Sequence, residues 1–237
     1  NHNIAIGQTG QVITTERLSQ IFLELQKKGA ANINLVTGTH FIPQIVDALT
    51  DAKQKGLIIP IVYNSSGYEE VSSLALLEGL VDIYLPDLKY YSSELSLRYS
   101  HAADYFVKAT SAIAEMFRQV GSPIFDEATG LMKKGIIVRH LLLPGQSKDS
   151  KKILRYLHGT YRNDIYVSIM NQYTPLAHVQ HIPALAVKLC LPLRIGSLKL
   201  LKIEGHMDIV CHKGVCLLGG KLNHHIQYGI VSLVNIF

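Results

Sequence analysis

An α/β fold, a complete or partial (βα) barrel with parallel strands, is what this sequence predicts, on two observations. Short β-branched apolar runs alternate with segments of helical period, the rhythm of strands joined by crossover helices. No G-x-G-x-x-G turn and no Walker loop is present. Five strands with intervening helices therefore suit a barrel better than a doubly wound sheet, which more often announces itself with a glycine-rich first turn.

The strand runs are INLV at 33–36, IIPIVY at 58–63, VDIYL at 81–85, IIVRHLLL at 136–143 and IYVSIM at 165–170. The first helix takes Thr14 or Thr15 as its N-cap and ends before Gly29, with Leu18, Ile21, Phe22 and Leu25 on one face. A second starts near Pro43 and stops at Gly56, and a short third covers 69–78. A longer helix is expected from a Ser100 cap to Gly121, and a last one from Ser147 to Gly159.

With 237 residues, 48% hydrophobic and 17% charged, the chain is long enough for one large globular domain and too apolar for disorder. The net charge of +5 comes without a basic run or a basic-aromatic stripe, so no nucleic-acid partner is expected. No stretch reaches the roughly 18 apolar residues of a membrane span. The opening NHNIAIGQTG reads as neither signal nor transit peptide, so no membrane partner and a cytoplasmic location are expected. Cys190, Cys211 and Cys216 are too few and too clustered for a disulfide framework, which fits a reducing compartment.

In a (βα) barrel the loops at the C-terminal ends of the strands form the active-site face, and here nearly every strand ends in polar residues. The first gives Thr37, Gly38, Thr39 and His40; the second Asn64, Ser65, Ser66 and Gly67; the third Asp87 and Lys89. The fourth carries Arg139 and His140, and the fifth ends at Asn171, Gln172 and Tyr173. Each has a plain structural reading as well. Thr37 and Thr39 suit a helix cap, Asn64 to Gly67 suit a turn, and Asp87 with Lys89 suits a local ion pair worth little. Arg139 inside an apolar strand requires an anion, because a buried charge is costly unpaired. His140, on the opposite face by alternation, reads as a hydrogen-bonded structural histidine.

Six ordered blocks, NINLVTGTHFIPQIVDAL, IPIVYNSSGYE, VDIYLPDLKY, EMFRQVG, VRHLLLPG and SIMNQYTP, resemble those of radical S-adenosylmethionine (SAM) proteins related to pyruvate formate-lyase activating enzyme. The resemblance covers about residues 1–183. It implies a barrel of the radical SAM type and a [4Fe-4S] cluster held by three thiolates of a C-x-x-x-C-x-x-C loop, with SAM chelating the fourth iron. Reductive cleavage of SAM would then give a 5′-deoxyadenosyl radical, used on a protein or peptide substrate to install a glycyl radical, with flavodoxin or ferredoxin as reductant. That motif is absent here, and Asn1 resembles the position just after its last cysteine.

By position, the resemblance places Thr37, Gly38 and Thr39 at the SAM amino group, although relatives usually carry proline at Gly38 and many radical SAM enzymes carry Gly-Gly-Glu across the three. It sets Asn64 and Ser65 beside the SAM region, Asp87 and Lys89 beside the methionine moiety, Arg139 at the SAM carboxylate, and Gln172 and Tyr173 near the nucleoside.

Residues 1–189 are thus expected to form the barrel core without its first strand and cluster loop. Residues 190–237 form an atypical tail whose glycine-broken apolar runs suit either strands packed on the domain or sequence foreign to the fold. Its cysteines lack cluster spacing. A zinc set of His206, Cys211, His212 and Cys216 is conceivable but follows no known finger spacing, and His178, His181, His224 and His225 make no better constellation. Two other functions stay open: a barrel hydrolase or lyase using Asp87 and Lys89, and a cluster-free remnant that binds a partner and catalyses nothing.

Overall fold

The computed structural model describes residues 11–170 together with the strands Asp208–His212 and Val215–Gly219. Helix α1 (Thr15–Lys27) begins where the Thr14 hydroxyl accepts the Arg17 N–H at 3.1 Å, and it buries Leu18, Ser19 and Phe22. Strand β1 (Ile33–Val36) follows, then a 3₁₀ turn (Gly38–Phe41) that leads into α2 (Ile42–Gln54), whose Pro43 fits the first helical turn. The Ser19 hydroxyl donates to Asp51 at 2.6 Å and ties α1 to α2.

Strand β2 (Ile61–Ser65), helix α3 (Val71–Ala75) and strand β3 (Ile83–Pro86) repeat the unit. The helix expected to run from a Ser100 cap is instead two. Helix α4 (Ser93–Ser100) ends because His101 adopts a left-handed φ of 53°, sending its N–H to Leu97 and that of Ala102 to Ser96, and α5 (Tyr105–Val120) starts afresh. Ser100 caps nothing; its hydroxyl bonds the Tyr90 hydroxyl at 2.9 Å.

A short β4 (Ile124–Phe125) pairs antiparallel with the start of β5 (Met132–Leu141), which begins earlier than its apolar run suggests. Helix α6 (Ser147–Tyr161) and β6 (Tyr166–Met170) complete the series. In the tail, β7 (Asp208–His212) and β8 (Val215–Gly219) pair antiparallel, and β8 lies against β6. The sheet order is β1-β2-β3-β5-β6-β8-β7. The fold is therefore α/β with a mostly parallel mixed sheet, and the expectation of parallel strands holds from β1 through β6 apart from β4.

Alternation divides each strand between two faces. Ile33, Leu35, Tyr63, Tyr84, Val138 and Val167 join Phe22, Leu49, Ile113 and Leu154 of the helices in the main core. Val62, Ile83, Leu85, Ile137 and Tyr166 form a second cluster with Met132 on the other face, against which Phe125 packs. The β4 hairpin covers the lower end of that face: Phe125 meets Tyr166 edge-on at 5.6 Å, and a Cβ on Gly135 would stand 2.9 Å from the Cα of Pro123.

Candidate ligand-binding site

Continuing the alternation upward from the second cluster places Asn64, Asp87, Arg139 and Ser168 at the C-terminal end of that same face. Asp87 follows Ile83 and Leu85 in phase, and Arg139 follows Ile137. The strands align Asp87 with Arg139, and Arg139 with Ser168. Arg139 donates from Nε and Nη2 to one Asp87 oxygen at 2.8 and 2.7 Å, while Lys89 Nζ stands 3.5 Å from the other. Two cations thus share one carboxylate, and the side chains remain 27%, 38% and 15% exposed for Arg139, Lys89 and Asp87. The anion that Arg139 requires is Asp87, 52 residues earlier in the chain.

The backbone under this cluster is fixed from several sides. Asp87 N–H donates to the Ser65 carbonyl, and Leu88 N–H to the Arg139 carbonyl. Gly67, at φ 78°, lies so close that a Cβ there would stand 2.1 Å from the Asp87 carbonyl oxygen. The Tyr105 hydroxyl accepts the Lys89 N–H at 3.1 Å and faces the Ser66 and Asp87 carbonyls at 2.8 and 3.0 Å, joining the loops after β2 and β3. His140 is buried as expected: its Nδ1–H donates to the Leu88 carbonyl at 2.8 Å, and desolvation holds the imidazole below its ordinary pKa.

At the neighbouring rim the Thr37 N–H donates to the Asn64 carbonyl, and Thr37 itself adopts a left-handed φ of 59°, a strained conformation for a β-branched residue. It makes no side-chain cap. Gly38 packs closely on α2: a Cβ there would come 2.7 Å from Ile45 Cδ1, the movable end of that side chain. The Thr39 hydroxyl donates to Glu69 at 2.7 Å, and burial pushes the Glu69 carboxyl above the usual carboxylate range.

The structure thus brings Asp87, Lys89 and Arg139 into contact and sets Asn64 on their face. Ser65 does not join them: it points to the helix side, where its hydroxyl accepts the Gly67 N–H at 3.2 Å. Thr37, Gly38 and Thr39 form the adjoining turn. Gln172 and Tyr173 lie outside the described residues, as do the side chains of the zinc candidates His206, Cys211, His212 and Cys216 and of His178, His181, His224 and His225. Among the described residues, no group of three His, Cys, Asp or Glu is placed to hold a metal, and no helix is long and apolar enough to cross a membrane.

No motif singles out Glu69, Tyr105, Asn34 or Ser168. For Asn34 and Ser168 a signal exists, a lone polar residue within an apolar strand; for Tyr105, whose ring lies in a helix of helical apolar period, none does. A pocket of about 240 Å³ near Asn32, Pro60 and the β4–β5 hairpin lies at the opposite ends of the strands.

No family model matches the chain. An uncharacterized protein of Methanocaldococcus jannaschii is 29% identical over 153 residues, 64% of this chain and 40% of that protein. The aligned stretch thus spans less than half of that relative's length.

Proposed function

We propose that the rim of Asp87, Lys89 and Arg139 binds the amino-acid end of S-adenosylmethionine, and that the chain is the ligand-binding part of a radical SAM activase-like barrel acting on a protein or peptide. The observation that carries this reading is the excess cation: two basic groups meet one carboxylate at the C-terminal strand ends, on the face opposite the helices. That arrangement leaves positive charge for a ligand carboxylate. The donor set fits the ligand. Arg139, whose Nε and Nη2 are held by Asp87, keeps its Nη1 donors for a carboxylate, and the Thr37–Gly38–Thr39 turn is the region the family resemblance assigns to the amino group. SAM, when bound, supplies the reactive adenosyl group.

The cluster is a different matter. Cys190, Cys211 and Cys216, spaced C-x20-C-x4-C, do not fit a [4Fe-4S] cluster, which needs three thiolates converging on one corner of iron. Anaerobic reconstitution of this chain with iron and sulfide is expected to yield no stoichiometric cluster and no 5′-deoxyadenosine.

Calorimetry tests the ligand assignment. Without iron to anchor it, SAM is expected to bind weakly, and Arg139→Leu is expected to lower that affinity about tenfold, the ratio carried by one charged hydrogen-bonding contact. Unchanged affinity in Arg139→Leu would remove this residue from the site. The 3.5 Å contact of Lys89 with Asp87 favours a second reading, a barrel hydrolase or lyase, which predicts turnover in air without SAM.

A further inference from the structure

Strand β1 buries Ile33 and Leu35 against the helices, so Asn34 between them faces the other side of the sheet, the side that carries Asn64, Asp87 and Arg139. Its register neighbours are Val62 on β2 and, through it, Ile83 on β3 and Gly135 on β5. Asn34 therefore stands one pleat below Asn64, level with apolar side chains and with a glycine that has none. It is 0% exposed, and among the described residues neither Oδ1 nor Nδ2 finds a hydrogen-bonding partner.

A carboxamide buried in that state is costly, because both a donor and an acceptor have left water for nothing. An apolar residue of similar volume, such as leucine, would fill the same row of Val62 and Ile83 without that cost. A buried polar group kept against such a gradient is what a site built to hydrogen-bond a ligand looks like before the ligand arrives.

We infer that Asn34 is a recognition residue at the floor of the site, pairing with a ligand edge that presents one donor beside one acceptor. Two sources carry that edge. One is the adenine of SAM, whose amino group and ring nitrogen match an asparagine bidentately. The other is the backbone edge of one extended substrate residue, whose own N–H and C=O point to the same side. The first rests on the reading given above; the second does not.

The full chain and its Asn34→Leu variant are compared with three probes, SAM, 5′-deoxyadenosine and N-acetylglycinamide, by calorimetry and by the NMR shifts of the Asn34 side-chain amide. Asn34→Leu is expected to melt at the same temperature as the parent or higher, because the unpaired amide is gone, while one probe class loses about tenfold in affinity. Loss confined to SAM and 5′-deoxyadenosine identifies the adenine edge. Loss confined to N-acetylglycinamide identifies the backbone edge of a peptide residue, and it does so even if SAM fails to bind at all. If SAM binds and depends on Arg139 but not on Asn34, and N-acetylglycinamide is equally indifferent to Asn34, the inference is overturned while the proposed function stands. A variant that melts lower with every affinity unchanged makes Asn34 structural and likewise overturns it. So does a parent chain whose Asn34 amide signals move with no probe.

Discussion

The helix-covered face of the sheet is apolar through the middle of every strand from β1 to β6 apart from the short β4, whereas the opposite face changes character along its length. On that second face Val62, Ile83, Leu85 and Ile137 give way, toward the strand ends, to Asn64, Asp87, Arg139 and Ser168. Both faces are buried enough to hold the domain together, yet only one carries charge. The difference teaches where stability and chemistry can be served separately on one strand: alternate residues face the helices and the core, and the residues between them lead to the charged rim.

The largest expected effect lies on the helix face. Phe22→Ala should cost about 3–5 kcal/mol in urea unfolding, since the ring is wholly buried among α1, α2 and the strands. Arg139→Leu on the other face should cost much less, because its partners remain partly exposed and Lys89 still meets Asp87. Equal losses would erase the distinction between the faces.

A middle-sized effect is expected at Gly67. Replacing it by alanine should destabilise by about 1–3 kcal/mol, from the left-handed φ and the clash with the Asp87 carbonyl. It should also shift the Asp87 and Arg139 backbone amides in NMR spectra. A destabilised variant with those signals unmoved would show that the loop is strained without supporting the site.

His140 sharpens the comparison through pH. Its folded pKa is depressed by burial, so the unfolded chain binds the extra proton, and stability is expected to fall as pH drops through the ordinary histidine range near about 6.5. Glu69 works in the opposite sense: its carboxyl is raised, so its contribution weakens as pH rises above the ordinary carboxylate value. Melting temperatures of the parent and of His140→Gln at about pH 7.5 and 5.5 separate the two. The variant should lose less on acidification; an equal loss would assign the acid sensitivity elsewhere.

The smallest effect concerns Thr37. Thr37→Gly should leave stability unchanged or raise it by up to about 1 kcal/mol, because glycine relieves the left-handed strain that threonine stores. Loss of stability by thermal melt would show that the hydroxyl or methyl makes contacts outweighing the strain.

Much of this architecture is legible in the sequence because it is local. INLV marks β1 to the residue, and Thr14, Gly29, Pro43 and Gly56 bracket the first two helices by cap chemistry alone. The break at His101 is not legible, since a histidine in the left-handed region carries no glycine-like signal. Nor is β4, two residues long and held by pairing rather than by pattern. At the site, Asp87, Lys89 and Arg139 stand out as charges at strand ends, but the ion pair between the first and last spans two intervening helices and β4, and the Tyr105 hydroxyl reaches loops 18 and 39 residues earlier. Such distances in sequence become contacts only once the register is set.

One consequence follows from Asp87 already occupying Arg139. A lone guanidinium at a strand end would sample many rotamers and shed its order whenever no ligand was near. Held by a carboxylate whose own backbone is packed against Gly67 and bonded to the Tyr105 hydroxyl, the arginine has its orientation set without a ligand. An anion of the kind proposed above would meet a group that is already aimed and would give up little entropy in fixing it.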